Sequence, residues 1–437
     1  MSEFGSFSPL PRREVGAGVR GLSHPLLYPL TPAPTSLRGR GELCPATLRL
    51  TDAALTSWDA VVIGAGPSGT LAAYELARRG IQVLLVDRAA FPRWKVCGCC
   101  LNSKALATLH AVGLGGITEH LGAVPLRDLR LASAGKEARL PLAGGVVLSR
   151  EAFDAALVRA AIAAGAAFLP QTRATLGVVL SEGRVVVLHQ DAALVTVLAK
   201  VVLVADGLGG SLLARAGMAS AHAVAGARIG AGVVVGAASP FFQHGTIYMA
   251  CGEGGYVGLV RREDGRLNLA AALDAASVRA EGGPGRVAAR LLAEAGWPLP
   301  ANIAAAAWKG TPALTRQAPH VAAERVLVLG DAAGYVEPFT GEGLAWALAT
   351  GVAVAPFAAR AADHWHLALA RAWQCRYTQI VGRRALCRAL AALLRRPALV
   401  RALIRLLART PAVARPILCS LGQGTRCPPA FPLGSHA

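Results

Sequence analysis

One stretch, Asp59 to Arg88, constrains this chain more than any other: DAVVIGAGPSGTLAAYELARRGIQVLLVDR. Asp59 to Ile63 is a short apolar run. Gly64, Gly66 and Gly69 follow at the G-x-G-x-x-G spacing, with Ala65 inside the turn, and a helical pattern from Leu71 to Arg79 closes on Gly80. Strand, tight turn and helix in that order open a Rossmann-like unit that holds a dinucleotide. Gly64 permits the turn, Gly66 offers no side chain to block a pyrophosphate, and Gly69 lets the helix pack close to the strand. The helix start then aims unpaired N–H groups at the phosphates. Ile81 to Val86 reads as a second buried strand. Asp87 and Arg88 end it, where a carboxylate accepts ribose hydroxyls and disfavours a 2′-phosphate.

With 437 residues the chain exceeds one typical domain, so a second, inserted or appended domain is expected. A hydrophobic share of 54% and a mean hydropathy of +0.44 call for a search for membrane spans. The longest uncharged stretch, Gly343 to Ala359, carries Pro356 and falls short of a bilayer's thickness, so it reads as a buried helix. A formal charge of +19 attracts nucleic acid, anionic lipid or an anionic cofactor alike. No nucleic-acid motif accompanies it and aromatic residues are only 5%, which argues against nucleic acid as a partner. Nine cysteines lack paired zinc spacing and a secretory leader, which points to reduced thiols, a cytoplasmic setting and no metal.

Residues 1–57 mix Pro, Ser, Gly and Arg without an apolar period and read as a disordered extension. Residues 58–225 form the first part of the nucleotide domain. Within it, Leu129 to Leu142 reads as a hairpin turning at Ala134-Gly135, and Ser149 caps a helix from Arg150 to Ala164. Residues 226–319 are β-rich, and FFQHGTIYMACGEGGYVGLV suggests a sheet that floors a substrate pocket. Residues 320–376 return to the nucleotide domain through the strand Arg325 to Leu329, and residues 377–437 are basic amphipathic helices and a tail.

Two later segments separate flavin from nicotinamide. VVLVADGLGGSLLARAG puts Asp206-Gly207 directly after a buried strand. VLVLGDAAGYVEPFTGEGLAWAL puts Gly330-Asp331 after another, followed by Pro338 and a helix start at Gly341 and Gly343. An aspartate closing the late strand suits a ribityl hydroxyl, which a flavin has and a nicotinamide dinucleotide lacks. The helix start would face the pyrimidine edge of the isoalloxazine, where reduction deposits negative charge.

These motifs together resemble the flavin-dependent oxidoreductases of the para-hydroxybenzoate hydroxylase-like superfamily, over roughly Trp58 to Arg376. Within that group the chain is most similar to the geranylgeranyl reductase family, because FPRWKVCGCCLN resembles its K-x-C-G signature. The resemblance implies an α/β fold: a Rossmann-like FAD-binding domain of the glutathione-reductase-2 type, an inserted β-sheet substrate domain and a C-terminal helical segment. It implies FAD as cofactor, with hydride passed to or from a carbon–carbon bond of a small apolar substrate, isoprenoid, polyketide or lipid-like. It places Cys97, Gly98 and Cys100 along the cofactor, with Cys97 in a catalytic role, Arg150 near the phosphates, the backbone of Ala174 at the adenine, and Gly343 with Leu344 at the flavin ring.

Departures from the family leave the substrate open. GGYVGLVRREDGRLN keeps Tyr256 but has Gly258 and Arg261 where the family's tunnel segment carries Trp and Pro. The W-x-W-x-I-P segment and reactive lysine of flavin halogenases are not recognisable, and AAWKGTP around Trp308 and Lys309 fails the spacing. An aromatic monooxygenase and a flavin-bearing binding protein stand as alternatives to the reductase. A single G-x-G-x-x-G implies that NAD(P)H, if it donates, visits transiently; a donor protein is the other source. Cys99-Cys100 reads as a redox pair or as two buried hydrophobes, and His244 and Tyr248 as substrate acids or packed side chains. Trp346 reads as core.

Near the C-terminus, Arg401, Arg405 and Arg409 recur every fourth residue, opposite Val400, Leu403, Ile404 and Leu407, an amphipathic helix bounded by Pro397 and Pro411. Peripheral contact with an anionic membrane and docking on the protein body both account for it, and no interfacial Trp or Phe decides between them.

Overall fold

The first strand, Trp58–Ile63, lies in the middle of a parallel sheet, flanked by Val83–Val86 on one side and Ala193–Val204 on the other. Ala167–Leu169 and Val326–Val328 extend it outward, also in parallel. Strands covered on both faces must be apolar throughout, and the runs at 83–86, 201–204 and 326–328 are buried without a break. The computed structural model describes residues 46–420 except 143, 238, 338 and 340. Pro338, the tail after 420 and residues 1–45 of the expected extension therefore lie outside the described residues.

Order begins earlier than composition implied. Thr47 donates its N–H to Phe168 O at 3.0 Å and takes the Phe168 N–H on its hydroxyl at 2.6 Å. Leu50 and Ala53, on the short helix Leu50–Ala54, are buried in the main core. The reading of 46–57 as disordered is corrected: two apolar side chains and two backbone-level bonds to the edge strand fix it, a signal too short to show as a period.

The second sheet runs Lys309–Ala313, Ile229–Ala237, Arg266–Leu273, Gly255–Arg261, Thr246–Gly252, Asp128–Ser133, Lys136–Pro141. Its last two strands are the hairpin at Ala134-Gly135, so this early segment joins the later β-rich region. Side chains alternate across the sheet. Tyr248, Val257, Leu259 and Leu269 pack beneath helix Pro284–Glu294 with Phe242 and Trp297. Leu131, Met249, Tyr256, Gly258, Ala270 and Ala272 face the other way, into a cavity.

Helix Gly343–Asp363 is long and apolar enough to cross a membrane, but 61% of its apolar window is buried in the fold and it packs along the nucleotide helix Pro67–Ala77. Its contact is close: a Cβ on Gly351 would stand 2.5 Å from Ser68 O. Among the described residues four further α-helices follow, Leu367–Ile380, Arg384–Leu393, Pro397–Arg409 and the short Arg415–Ser420. Helix Pro397–Arg409 lays Val400, Ile404 and Leu407 against the strands of the second sheet.

Candidate active site

The two sheets share one cavity of about 560 Å³, open at one side. Twelve of the residues singled out in the sequence line it: Gly66, Arg88, Cys97, Gly98, Cys100, Arg150, Gly207, Gly330, Asp331, Gly341, Gly343 and Leu344. They come from five separate segments of the chain, and the sheet brings them to one end of its parallel strands, where ligands bind in such folds.

Glycines in the turn differ in what requires them. A Cβ at Gly64, where φ is +107°, would stand 2.3 Å from Ala205 O, and one at Gly69 would stand 2.0 Å from Gly64 O. Packing of the protein itself demands both. At Gly66 the nearest atom to such a Cβ is Arg93 Nη2 at 3.9 Å. No protein atom needs Gly66 to be small, so the open space is a cradle for a ligand backbone, as a pyrophosphate requires. Arg88, Lys95 and Arg150 line the same end, a cationic setting for two phosphates.

Asp87 is nearly buried, and each carboxylate oxygen accepts one backbone N–H at 2.8 Å, from Ala65 and Ala89. It thus braces the turn, and each oxygen keeps a lone pair that no backbone N–H takes. Asp87 does not line the cavity, nor do Gly64, Ala65, Gly69, Ala174 and Asp206. Ala174 pairs with Leu188 beside Thr172, whose N–H reaches Asp87 O at 2.8 Å. Asp206 folds back so that Oδ2 accepts the Leu212 N–H at 3.2 Å, and burial pushes its carboxyl above the usual range.

Several site residues escaped the sequence reading. Arg150 binds Asp154 through two bonds of 2.8 and 2.7 Å, and Arg93 bridges Asp154 at 3.3 Å and Asp87 at 3.6 Å. Burial opposes charge on Arg150, but Asp154 and the neighbouring Cys97 outweigh it and raise its pKa well above the ordinary value. Lys95 lies 3.2 Å from where a Cβ on Gly207 would stand; burial lowers its pKa, against the pull of Asp331. Lys309 lines the cavity with its ammonium 5.1 Å from the centroid of the Trp94 ring. Arg93 and Asp154 did not stand out, because a bridge between segments leaves no local periodicity, and Lys95 and Lys309 were met only inside quoted motifs, with no role of their own.

The three clustered cysteines are all thiols. Cys97 and Cys100 line the cavity; Cys99 is buried behind them with φ +58°. Burial pushes the Cys100 thiol up to about 12 and raises that of Cys99 well above its ordinary value. Asn268 fixes the loop by donating to Cys97 O at 2.9 Å. Neither His244 nor Tyr248 faces the cavity. His244 is exposed, and the Tyr248 hydroxyl donates to Phe241 O at 2.7 Å within the aromatic cluster. Trp346 is core, as expected, beneath the Arg384 guanidinium.

Beyond the nucleotide end the cavity turns apolar, lined by Leu129, Leu131, Leu140, Ile247, Met249 and Leu314. Gly258, where the family's segment would carry Trp, leaves a trough with Ala270 and Ala272. Tyr256 closes one wall; its hydroxyl is buried with no hydrogen-bond partner among the described residues.

A family model described as an FAD binding domain matches residues 57–356. The chain belongs to this FAD-binding family of oxidoreductases. Digeranylgeranylglycerophospholipid reductase 2 of Methanopyrus kandleri is 30% identical over 328 residues, covering 70% of this chain and 78% of that one. Menaquinone reductase of Mycobacterium tuberculosis is 44% identical over 89 residues, so the match spans 20% of this flavoprotein and 21% of that relative's own length. Among solved structures, a flavin-dependent brominase superposes with a TM-score of 0.68 at 17% identity, over 84% of this chain and 94% of that one. For p-nitrophenol 4-monooxygenase from Pseudomonas putida the values are 0.67 and 16%, over 85% and 99%. Such likeness shows the shared fold alone, since one fold hosts different chemistries. The cradle at Gly66, the cationic end and Asp331 at the close of its strand fit the FAD that the family binds.

Proposed function

We propose that this flavoprotein reduces a carbon–carbon double bond in an isoprenoid or similarly apolar substrate. The observation that carries the reading is the continuity of the cavity: one space passes from the dinucleotide cradle, past Cys97, to a trough walled by leucines. FAD, when bound, supplies the two-electron hydride couple. Gly66, Lys95 and Arg150 hold its phosphates, Asp331 its ribityl chain and the start of helix Gly343–Asp363 its ring. Reduction of an alkene needs one hydride and one proton, added to the two carbons. Cys97 is the proton donor, and Arg150 beside it steadies the thiolate that remains until a proton returns from solvent. Tyr256 offers its unpartnered hydroxyl to a polar group on the substrate. NAD(P)H or a donor protein would restore the electrons. Relatives whose names specify reduction of prenylated molecules support the choice over hydroxylation.

The test is anaerobic. Protein with its flavin reduced by dithionite is mixed with a prenylated quinone or a geranylgeranyl lipid, and return of the yellow colour is followed with analysis of the lipid product. Wild type should reoxidise and saturate the double bond. Cys97→Ser should retain FAD yet slow that step by about 10²-fold or more, the range of general-acid contributions. A parallel run in air that yields a hydroxylated product with the double bond kept would support the monooxygenase alternative instead.

A further inference from the structure

We infer that the helical cap over the cavity, residues 384–420, is a docking surface for an anionic lipid bilayer, with the cavity mouth set into that surface. The inference rests on the reading of the cavity as an apolar-substrate site. Five of the eleven exposed large apolar side chains among the described residues, Leu386, Leu399, Leu406, Val413 and Ile417, lie in the cap, although it is about a tenth of the described chain. Val413 and Ile417 also line the cavity, so they form its rim. Leu399 and Leu406 are 45% and 48% exposed, and a seven-residue spacing puts them on one stripe of helix Pro397–Arg409. That stripe is separate from Val400, Ile404 and Leu407, which are already spent on the protein's own core.

Charge completes the surface and selects its partner. No Asp or Glu follows Asp363 in the sequence. Arg396, Arg405, Arg409 and Arg415 are exposed and carry no ion pair among the described residues, whereas Arg384 donates to Gly334 O and Arg395 pairs with Glu337. Arginines beside exposed leucines suit an interface at which the guanidinium meets lipid phosphate while the stem and the leucine enter the acyl region. A nucleic acid would pair the arginines but leave Leu399, Leu406 and Val413 in water. An apolar substrate dissolved in that bilayer then has a route into the trough without crossing water.

The FAD-loaded full chain is sedimented with vesicles of phosphatidylcholine alone, or with phosphatidylglycerol added, at low and high salt. Binding should require the anionic lipid and weaken with salt. Arg405→Gln/Arg409→Gln/Arg415→Gln should lower the partition coefficient at low salt by about a hundredfold, from roughly fivefold per arginine. Leu399→Ser/Leu406→Ser should weaken binding even at low salt, while Val178→Ser/Leu194→Ser, which remove exposed apolar groups from the nucleotide sheet, should not. Retained FAD shows that each variant is folded. Wild type left in the supernatant at low salt, equal loss in the control pair, or capture by duplex DNA but not by vesicles would overturn the inference. Reduction of a short soluble prenyl quinone separates the two readings: if it proceeds without vesicle binding, only the docking surface is wrong. If vesicles bind and no isoprenoid is reduced, only the substrate reading is.

Discussion

Cys97, Cys99 and Cys100 share one loop and meet three different environments. Cys97 sits beside the Arg150 guanidinium at the cavity wall, Cys99 is enclosed in protein, and Cys100 borders the cavity but is desolvated enough to push its pKa up to about 12. The thiolate is the reactive form, and a raised pKa delays its appearance as pH rises. At pH 8 the Cys100 thiolate is roughly one part in ten thousand. Iodoacetamide at pH 8 should therefore label the exposed Cys375 while Cys99 and Cys100 stay unmodified, and Cys100 labelling should gain about tenfold per pH unit through pH 10 without levelling. Mass spectrometry of each site reads this, and labelling of Cys100 at the rate of Cys375 would mean that the loop opens. The redox pairing of Cys99 with Cys100 finds no support, since burial works against both thiolates. At this scale the motif residues were legible because glycine, aspartate and strand ends follow each other in sequence. Arg93 and Lys309 were not, because their partners Asp154 and Trp94 stand far off in sequence; Asp154 was missed although Arg150 lies one helical turn before it, and Lys95 was met only as the first residue of the K-x-C-G signature.

Gly351 shows how a contact between elements can matter without belonging to a motif. It faces the nucleotide helix where a side chain would meet Ser68 O, and Ser68 in turn bonds Thr350 at 3.2 Å. Gly351→Val should force the two helices apart and cost about 1–3 kcal/mol, the usual range for overpacking. Both helices start at the cavity, so a drop of several degrees in Tm should come with weaker FAD retention; an unchanged Tm would show that the helices are free to separate. Other elements were readable in advance for definite reasons. Ser149 accepts the Ala152 N–H as the cap expected of it, and the hairpin turns at Ala134 with φ +47° and Gly135 with φ +69°. Strand Ala193–Val204 runs further back than the apolar run at 201–205 suggested, because its exposed first half pairs with Arg184–Gln190 in register. Pairing with a neighbour, more than its own pattern, makes that half a strand.

At the scale of the whole molecule, the C-terminal helices give the cavity its last wall. Helix Pro397–Arg409 contributes Leu403 and Leu407 to the lining, and the turn just before it is tied to Glu337 and Arg228. Arg228, 2% exposed, pairs with Glu337 at 3.1 Å and donates to Leu394 O at 3.3 Å, and Arg395 approaches Glu337 at 3.6 Å. These links lie at the inner end of the helix; along its length, attachment depends on apolar burial of Val400, Ile404 and Leu407. Ile404 is 1% exposed, and Ile404→Ala should cost the helix about 2–5 kcal/mol of docking energy. The parallel sheet has its own core with no residue from this helix in it, so the loss should appear as local opening rather than global unfolding. Ile404→Ala is then expected to bind a hydrophobic dye at Leu131, Leu140 and Met249, to be cleaved faster by trypsin at Arg401 and Arg405, and to keep its FAD. A coincident fall in FAD content and Tm, without earlier cleavage, would show instead that cap and flavin domain unfold as one unit.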